Sequence, residues 1–373
     1  MLKKLRVYID IISLFVSLLL ARLCKAIGRQ SAIALSVSKN EKDILYAEHP
    51  EGIAIFGGRI HKVKKKVVRL PSFAADLLSK VLLKANRAGI PVYIKGYADR
   101  SWGLSLSSLP QLYRIETSIW GKSAQDKNAN SFSYILDNNG IYFDGRLATD
   151  LERKLNTVQS GFWREDAALS QFIDSLQNSS FQKYPQFAGA VTFTPPQEAV
   201  LVAGQVSGDA STIETTAAAQ TNFELAQIAR RTFPERPIYF KAHPFEKNEE
   251  ETRRIIEQLD MVLVDPSLSF TQLCSVFKTV MVNTSGGGLE AALLGCQVYT
   301  VGVSFYSHWG FTSDIAAPVS RRTNRLSPED VYACFVQQYA RYALRQGSGT
   351  APQAIDFEGF LTKNPPTTAA NPS

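Results

Sequence analysis

The chain is poor in the residues that metal and redox sites draw on. Of its 373 residues only four are histidine (His49, His61, His243, His308) and four cysteine (Cys24, Cys274, Cys296, Cys334). The histidines lie far apart and the cysteines keep no metal-type spacing, so no metal site is expected, and the thiols read as buried groups in a reducing compartment. CxxC, HExxH and DxD are all absent. No G-x-G-x-x-G opens the first domain, which counts against a dinucleotide cofactor. No zinc finger, RNA-binding aromatic signature or recognition helix accompanies the basic residues, so nucleic acid is not an expected partner. The N-terminal apolar stretch is shorter than the roughly 20 residues of a bilayer span. There is no internal repeat.

What is present is an ordinary globular composition, 45% hydrophobic and 20% charged, with a net charge of +7. That suffices for a large core, and the length favours two domains. Part of the positive excess is clustered at Lys3, Lys4, Arg6, Arg22, Lys25 and Arg29, and again at Lys62, Lys64, Lys65, Lys66 and Arg69. Anionic lipid or glycan suits such clusters. Between the first bases, Val7 to Ala21 is apolar except for Asp10, Ser13 and Ser17, with no signal-peptidase site. An amphipathic helix over residues 1–30, lying on the cytoplasmic face of the inner membrane, is the reading taken. A buried core helix and an uncleaved anchor are the alternatives.

Strands are expected at Asp43 to Ala47 and Gly52 to Phe56, and a helix at Pro71 to Ala88 with Phe73, Leu77, Leu78, Val81 and Leu82 on its apolar face. Val92 to Lys95 and Tyr113 to Ile115 read as strands. Asp137-Asn138-Asn139-Gly140 reads as a hairpin turn between Ser133 to Leu136 and Ile141 to Phe143. Helices follow at 147–156 and 165–177. The proline-bearing Gln182 to Gln197 reads as a domain linker, strand and helix alternate to Val301, and a last helix runs from Ser327 to about Arg345. The expected domains are 31–190, Rossmann-like and acceptor-binding, and 191–345, Rossmann-like and donor-binding, with a mobile tail at 346–373.

Three strand ends carry chemistry-capable loops, and in open α/β sheets ligands sit outside the carboxyl ends of strands. Ala199 to Val202 runs into Gly204-Gln205-Val206-Ser207-Gly208-Asp209-Ala210-Ser211, where Asp209 or Ser211 would also serve as an ordinary helix cap. Pro237 to Phe240 ends in Lys241-Ala242-His243-Pro244, whose Lys241 and His243 at i, i+2 suit a phosphate. Val280 to Val282 ends in Asn283, Thr284, Ser285, Gly286, Gly287 and Gly288, a turn that offers free N–H groups and a helix start to an anion. Glu290, just beyond, can accept from a ribose diol. The loop Phe305-Tyr306-Ser307-His308-Trp309-Gly310 is too aromatic for a solvated turn.

These motifs stand in the order that marks the bacterial capsule polysaccharide biosynthesis family containing the retaining β-Kdo transferases, which this chain resembles. The matching residues are Gly204-Gln205-Val206 with Asp209 and Ser211, Lys241 with His243-Pro244, and Thr284-Ser285 with Gly288, Glu290-Ala291 and Gly295. They continue through Phe305-Tyr306, Trp309-Gly310, Thr312 and Asp314. Asp137 to Asp144, Asp150-Leu151-Glu152, and Arg321-Arg322 with Tyr339 and Tyr342 are similar too, so the likeness runs from about 110 to 345. Of the family's E-D-G-F segment only Glu116 is kept, and Ser307-His308 replaces its Ala-Gly, a change that would bear on the acceptor or the sugar.

The resemblance implies a GT-B-type fold and transfer of Kdo from CMP-Kdo with retention to a lipid or glycan acceptor, with no other cofactor. A donor with one phosphate needs no metal-held diphosphate, in keeping with the absent DxD. In that scheme Asp209 attacks the anomeric carbon and Glu116 deprotonates the acceptor. Lys241, His243 and Ser285 to Gly288 hold the phosphate, Glu290 the ribose, and Arg146 the sugar carboxylate. Gln205, Ser211, Tyr306 and Trp309 complete the expected donor site. The alternatives are a transferase for another CMP-sugar, such as sialic acid, and a non-catalytic capsule assembly or export protein. A capsule assembly complex is a further expected partner.

Overall fold

The computed structural model describes residues 31–37, 41–48, 54–56, 72–126, 128–178, 189–213, 217–346 and 351–365, with Val16, Leu19 and Ala26 as isolated helical positions. Apart from those three positions, the expected membrane helix lies outside the described residues, as does the basic run at 62–69. The strands are β1 (Ser31–Leu35), β2 (Ala54–Phe56), β3 (Val92–Lys95), β4 (Leu112–Glu116), β5 (Ser131–Asp137), β6 (Val200–Ala203) and β7 (Ile238–Lys241). They continue as β8 (Val262–Val264), β9 (Thr279–Val282), β10 (Gln297–Thr300), β11 (Thr312–Asp314), β12 (Arg341–Leu344) and β13 (Gln353–Ile355). The chain divides into two compact units, one holding the described residues up to Ile141 together with 340–364, the other holding 142–339.

The first unit has a seven-stranded sheet in the order β13-β12-β5-β4-β3-β1-β2. Strands β2, β1, β3 and β4 are parallel, and β5, β12 and β13 extend the sheet antiparallel. Side chains alternate across it: Ile33, Leu35, Val92 and Ile94 face one core cluster, while Ala32, Ala34 and Tyr93 face another. A parallel sheet is covered on both sides, so its strands are apolar at successive positions. The helix Ser72–Arg87 packs Ala75, Leu78, Leu82 and Ala85 on the first face. Phe73 and Leu77, expected on that buried face, are instead 64% and 50% exposed, because they fall one step round the helix from the Leu78–Leu82 stripe.

The second unit is a six-stranded sheet in the order β8-β7-β6-β9-β10-β11, every pair parallel. Numbered within the unit this is 3-2-1-4-5-6, the doubly wound Rossmann order, whose direction of winding reverses between β6 and β9. Strands β6 and β9 are buried at every position. Helix Asn222–Thr232 packs Leu225, Ala226 and Ala229 against Val200, Val202 and Phe240. A capping box between Thr221 and Glu224 fixes its start.

Several sequence expectations are corrected. Lys42–Glu48 is a helix, with Ile44, Leu45 and Ala47 buried; the strand is the earlier Ser31–Leu35. The 137–140 turn exists, but Ile141 to Phe143 is no strand, and β5 pairs with β4 and β12. The described part of the expected linker belongs to the second unit: Gly189 bridges Leu268, and Phe193 stacks on Tyr239. The helix that begins at Pro328 ends in a π turn at Phe335–Tyr339, and the chain then becomes β12. Residues expected as a mobile tail form β13 and the helix Phe357–Lys363, because Phe357 and Phe360 bury against Trp120 and Tyr342.

Candidate active site

In the second unit the loops leaving β6 and β9 flank the point where the winding reverses, the place where a doubly wound sheet opens a crevice. They are joined by a neutral hydrogen-bond network. Thr284 N donates to Gln205 Oε1 (2.9 Å), Gln205 Nε2 donates to Ser211 Oγ (3.0 Å), and Thr284 Oγ1 donates to the Ser211 carbonyl (3.0 Å). Asn222 clamps the Gln205 backbone, its Oδ1 accepting from N and its Nδ2 donating to O, both at 2.9 Å. Gln205 and Ser211 are buried, and the bonds they make brace the two loops.

What the bracing presents is Asp209. Its Oδ1 accepts from Ser211 N (2.8 Å) and Ser211 Oγ (2.5 Å). The residue is half-buried, and among the described residues no donor reaches Oδ2. Asp209 therefore does cap the short helix Ala210–Ile213, and the cap uses only one of its oxygens.

The turn after β9 has two kinds of glycine. A Cβ on Gly288 would stand 2.1 Å from Tyr306 Oη and 2.9 Å from Val282 Cγ2, so this position admits no side chain. A Cβ on Gly286 would meet nothing within 4 Å. Among the described residues the N–H groups of Ser285 and Gly286 donate no hydrogen bond, and Ser285, Gly286 and Gly287 are half-exposed. Glu290 is half-exposed in the first turn of the helix Gly287–Leu293. Tyr306 and Trp309 do not reach this surface. Both are fully buried; Tyr306 Oη donates to the Ser285 carbonyl and so supports the turn from below, while Trp309 Nε1 donates to the Phe305 carbonyl and braces the aromatic loop itself. Burial drives the Tyr306 phenol well above its ordinary range, which keeps it a hydrogen-bond donor.

Lys241 also differs from expectation. It is 3% exposed, and its ammonium donates to the Pro266 carbonyl (2.6 Å) in the loop after β8. Burial pushes it down to about 8, against the pull of Asp265. As placed, it fixes that loop and makes no bond to the Gln205 network. His243 lines a surface cavity of about 450 Å³ together with Pro244, Asn248, Thr252 and Pro266. Arg146 pairs with Asp144, Nε to Oδ1 at 2.8 Å and Nη2 to Oδ2 at 2.7 Å, and is 40% exposed. Ser307 and His308 turn inward: Ser307 Oγ donates to the Ser304 carbonyl, and the His308 imidazole contacts Ser307 Oγ and the Ala317 carbonyl.

Glu116 belongs to the first unit, at the end of β4, where Lys95 Nζ lies 2.8 Å from its Oε1. Sequence reasoning missed Lys95, although it ends a parallel strand and so sits where ligands of such sheets gather. It also missed that the Asp150-Leu151-Glu152 and Arg321-Arg322 segments meet. Glu152 accepts from both arginines, and Arg322 donates to the carbonyls of Ser304 and Ser307, holding the aromatic loop. Among the described residues no three His, Cys, Asp or Glu side chains gather as a metal site requires.

The two α/β units define a GT-B-type fold class. Residues 174–348 match the family model described as capsule polysaccharide biosynthesis protein. That stretch is somewhat less than half of the chain, and over it the chain is similar to that family. It is 28% identical over 252 residues to the lipopolysaccharide-processing protein LpsZ of Rhizobium meliloti, covering 64% of this chain and 56% of that one. It is 26% identical to the capsule polysaccharide modification protein LipA of Neisseria meningitidis serogroup A, covering 62% of this chain and 34% of that one. The chain thus spans about half and a third of the length of these curated relatives. Among solved structures it is similar to the β-Kdo 2,7 transferase of Thermosulfurimonas dismutans KpsC, with a TM-score of 0.62, 21% identity, and coverage of 90% of this chain and 98% of that one. The β-Kdo 2,4 transferase of the same protein gives 0.54, 22%, 74% and 87%. At these identities the structural likeness speaks to the fold.

Proposed function

We propose that the chain is a glycosyltransferase that moves Kdo from CMP-Kdo, with retention, to a lipid or glycan acceptor during assembly of capsule or another surface polysaccharide. The observation that carries this reading is Asp209: a carboxylate at the point of winding reversal, with one oxygen tied down and the other open. The two similar KpsC structures are both of β-Kdo transferases, which supports the choice of sugar.

In the proposed reaction Asp209 Oδ2 attacks the anomeric carbon. The bond to the CMP phosphate breaks and its electron pair leaves with CMP. The open N–H groups of Ser285 and Gly286 stabilise the departing phosphate, with His243 as a further partner, and Glu290 holds the ribose. Arg146, whose Nη1 has no acceptor among the described residues, pairs with the sugar carboxylate. The acceptor oxygen then attacks the same carbon, its proton passes to Glu116, and the Asp209 carboxylate is regenerated. Two inversions give net retention. Incubation with CMP-Kdo and candidate acceptors should release CMP and give a product heavier by one Kdo residue with β configuration, read by mass spectrometry and NMR. Absence of CMP release across all acceptors, or an inverted product, contradicts it.

Among the described residues no helix is long and apolar enough to cross a membrane. We further propose that the basic-flanked apolar segment near residues 3–29 holds the protein to the cytoplasmic face of the inner membrane. The full chain should then float with anionic vesicles, and replacing Lys3, Lys4 and Arg6 with Glu should weaken flotation; an unchanged result removes this attachment.

A further inference from the structure

The first unit has its own cluster at the carboxyl ends of three neighbouring parallel strands. Lys95 ends β3, Glu116 ends β4, and Glu41 starts the helix that follows β1. Glu116 is held unevenly. Its Oε1 accepts from Lys95 Nζ (2.8 Å), Thr117 N (2.8 Å) and Thr117 Oγ1 (3.1 Å). Among the described residues no donor reaches Oε2. That oxygen lies over Gly96, where even a built Cβ would remain 3.6 Å away.

Lys95 is held in turn. Its ammonium is 3.4 Å from Glu41 Oε1, which accepts from Gln125 Nε2 at 2.8 Å, and Glu41 is 3% exposed. Burial alone would pull the Lys95 ammonium down, but Glu116 and then Glu41 outweigh it and leave Lys95 above its ordinary value, hence charged. The turn that follows is anchored from below: Arg114 donates to the Gly96 carbonyl (2.9 Å) and binds Asp99 with two bonds of 2.8 Å.

A plain structural tie between β3 and β4 does not account for this. The strands are already in register from Val92↔Leu112 to Lys95↔Ile115, and a partly exposed ion pair adds little to such a ladder. Three donors on one oxygen, with none on the other among the described residues, is the arrangement that aims a carboxylate.

We propose that Lys95 is the positioning residue for Glu116: it ties Oε1 so that Oε2 is presented to the hydroxyl of an incoming sugar acceptor. This rests on the reading of Glu116 as the base. Three donors restrict the rotation of the carboxylate, and a base works only when its free lone pair lies within hydrogen-bond reach of the proton it takes. Glu41 gives Lys95 a second anion to span, which limits the ammonium to one position.

The test is a double-mutant cycle on the full chain, with CMP-Kdo as donor and a β-Kdo-capped glycolipid as acceptor. Lys95→Met should lower kcat about 10- to 100-fold at unchanged donor KM, and Lys95→Arg should restore most of it. In a Glu116→Gln background, which should keep a measurable residual rate because a general base contributes about 10²–10⁴-fold, Lys95→Met should cost nothing further. Carbodiimide labelling mapped by mass spectrometry reads the same contact without turnover: Glu116 should label faster in Lys95→Met and at the wild-type rate in Lys95→Arg. Equal losses in both backgrounds, or unchanged labelling, overturn the positioning role while leaving the base assignment standing. Wild-type transfer by Glu116→Gln overturns both.

Discussion

The two units hold these carboxylates alike in one respect, a neighbouring N–H and hydroxyl on one oxygen, and differently in another, a cation that only the first unit adds. In the second, Asp209 is fixed by neutral donors from Ser211, themselves braced by Gln205 and Thr284. In the first, Glu116 is held by two neutral donors of Thr117 and, in addition, by the Lys95 cation, which it shares with Glu41. Each arrangement occupies one oxygen, and among the described residues no donor reaches the other. The difference bears on the two roles proposed for these carboxylates. A nucleophile next to a cation would be weakened by it, whereas hydroxyl and amide donors orient a carboxylate with less withdrawal of charge. Under the proposed roles, a cation beside a base also lowers its proton affinity, so what Lys95 contributes to Glu116 is a fixed geometry and not added basicity.

The largest break in this comparison should come at Asp209. Asp209→Asn should lower transfer on the order of 10⁴-fold or more, with CMP binding retained by calorimetry. Asparagine caps a helix about as well as aspartate, so Asp209→Asn should melt near wild type, while Asp209→Ala loses about 0.5–2 kcal/mol. Both variants should be inactive. If activity follows stability across the pair instead, Asp209 is only a cap. Glu116→Gln should lower transfer less, about 10²–10⁴-fold, and leave donor hydrolysis in the absence of acceptor unchanged. Equal loss of hydrolysis would place Glu116 in the first step and collapse the distinction between the two carboxylates.

The glycine turn sharpens the account through stability against binding. Gly288→Ala drives a methyl into Tyr306 and should cost about 1–3 kcal/mol in chemical denaturation. Gly286→Ala should leave stability within about 1 kcal/mol and weaken CMP binding, because its methyl stands in the open space above the free N–H groups. Equal stability losses in the two variants would contradict the assignment of one glycine to packing and the other to ligand access.

Much of the second unit was legible in the sequence because its motifs coincide with strand ends. A β-branched run stopping at Asn283 before three glycines can scarcely be other than strand, turn and helix. The residues' directions were not legible. Lys241 and His243 at i, i+2 share a side of a strand tip only if the strand continues straight; the chain turns at Pro244, and Lys241 buries its ammonium on Pro266. Tyr306 and Trp309 look like ligand-facing aromatics in one dimension, and only packing shows both buried, Tyr306 beneath the turn and Trp309 within its own loop. In the first unit, Lys95, Glu41 and Glu116 lie far apart in sequence and meet only because β1, β3 and β4 are neighbours. No local pattern announces a contact made by sheet order. The C-terminal strand and helix were obscured by the Gly, Ala, Thr and Pro around them, although Phe357 and Phe360 carry the packing.

The smallest expected effect is the pH dependence contributed by Lys241. Its folded value of about 8 lies below its ordinary 10.5, so between these values the unfolded chain binds more protons than the folded one. Stability from this group therefore rises with pH across that window. The stability of wild type relative to Lys241→Met should grow between about pH 8 and 10, measured by urea denaturation; a constant difference would mean that the ammonium is better solvated than its burial indicates.

The central claim is that Asp209 becomes covalently linked to the sugar. The direct measurement is peptide mapping by mass spectrometry after incubating the full chain with CMP-Kdo without acceptor and quenching in acid. The account predicts a Kdo adduct on the peptide containing residue 209, absent in Asp209→Asn and discharged when acceptor is added before the quench. An active protein that shows no adduct at residue 209, or carries it on another carboxylate, contradicts the account.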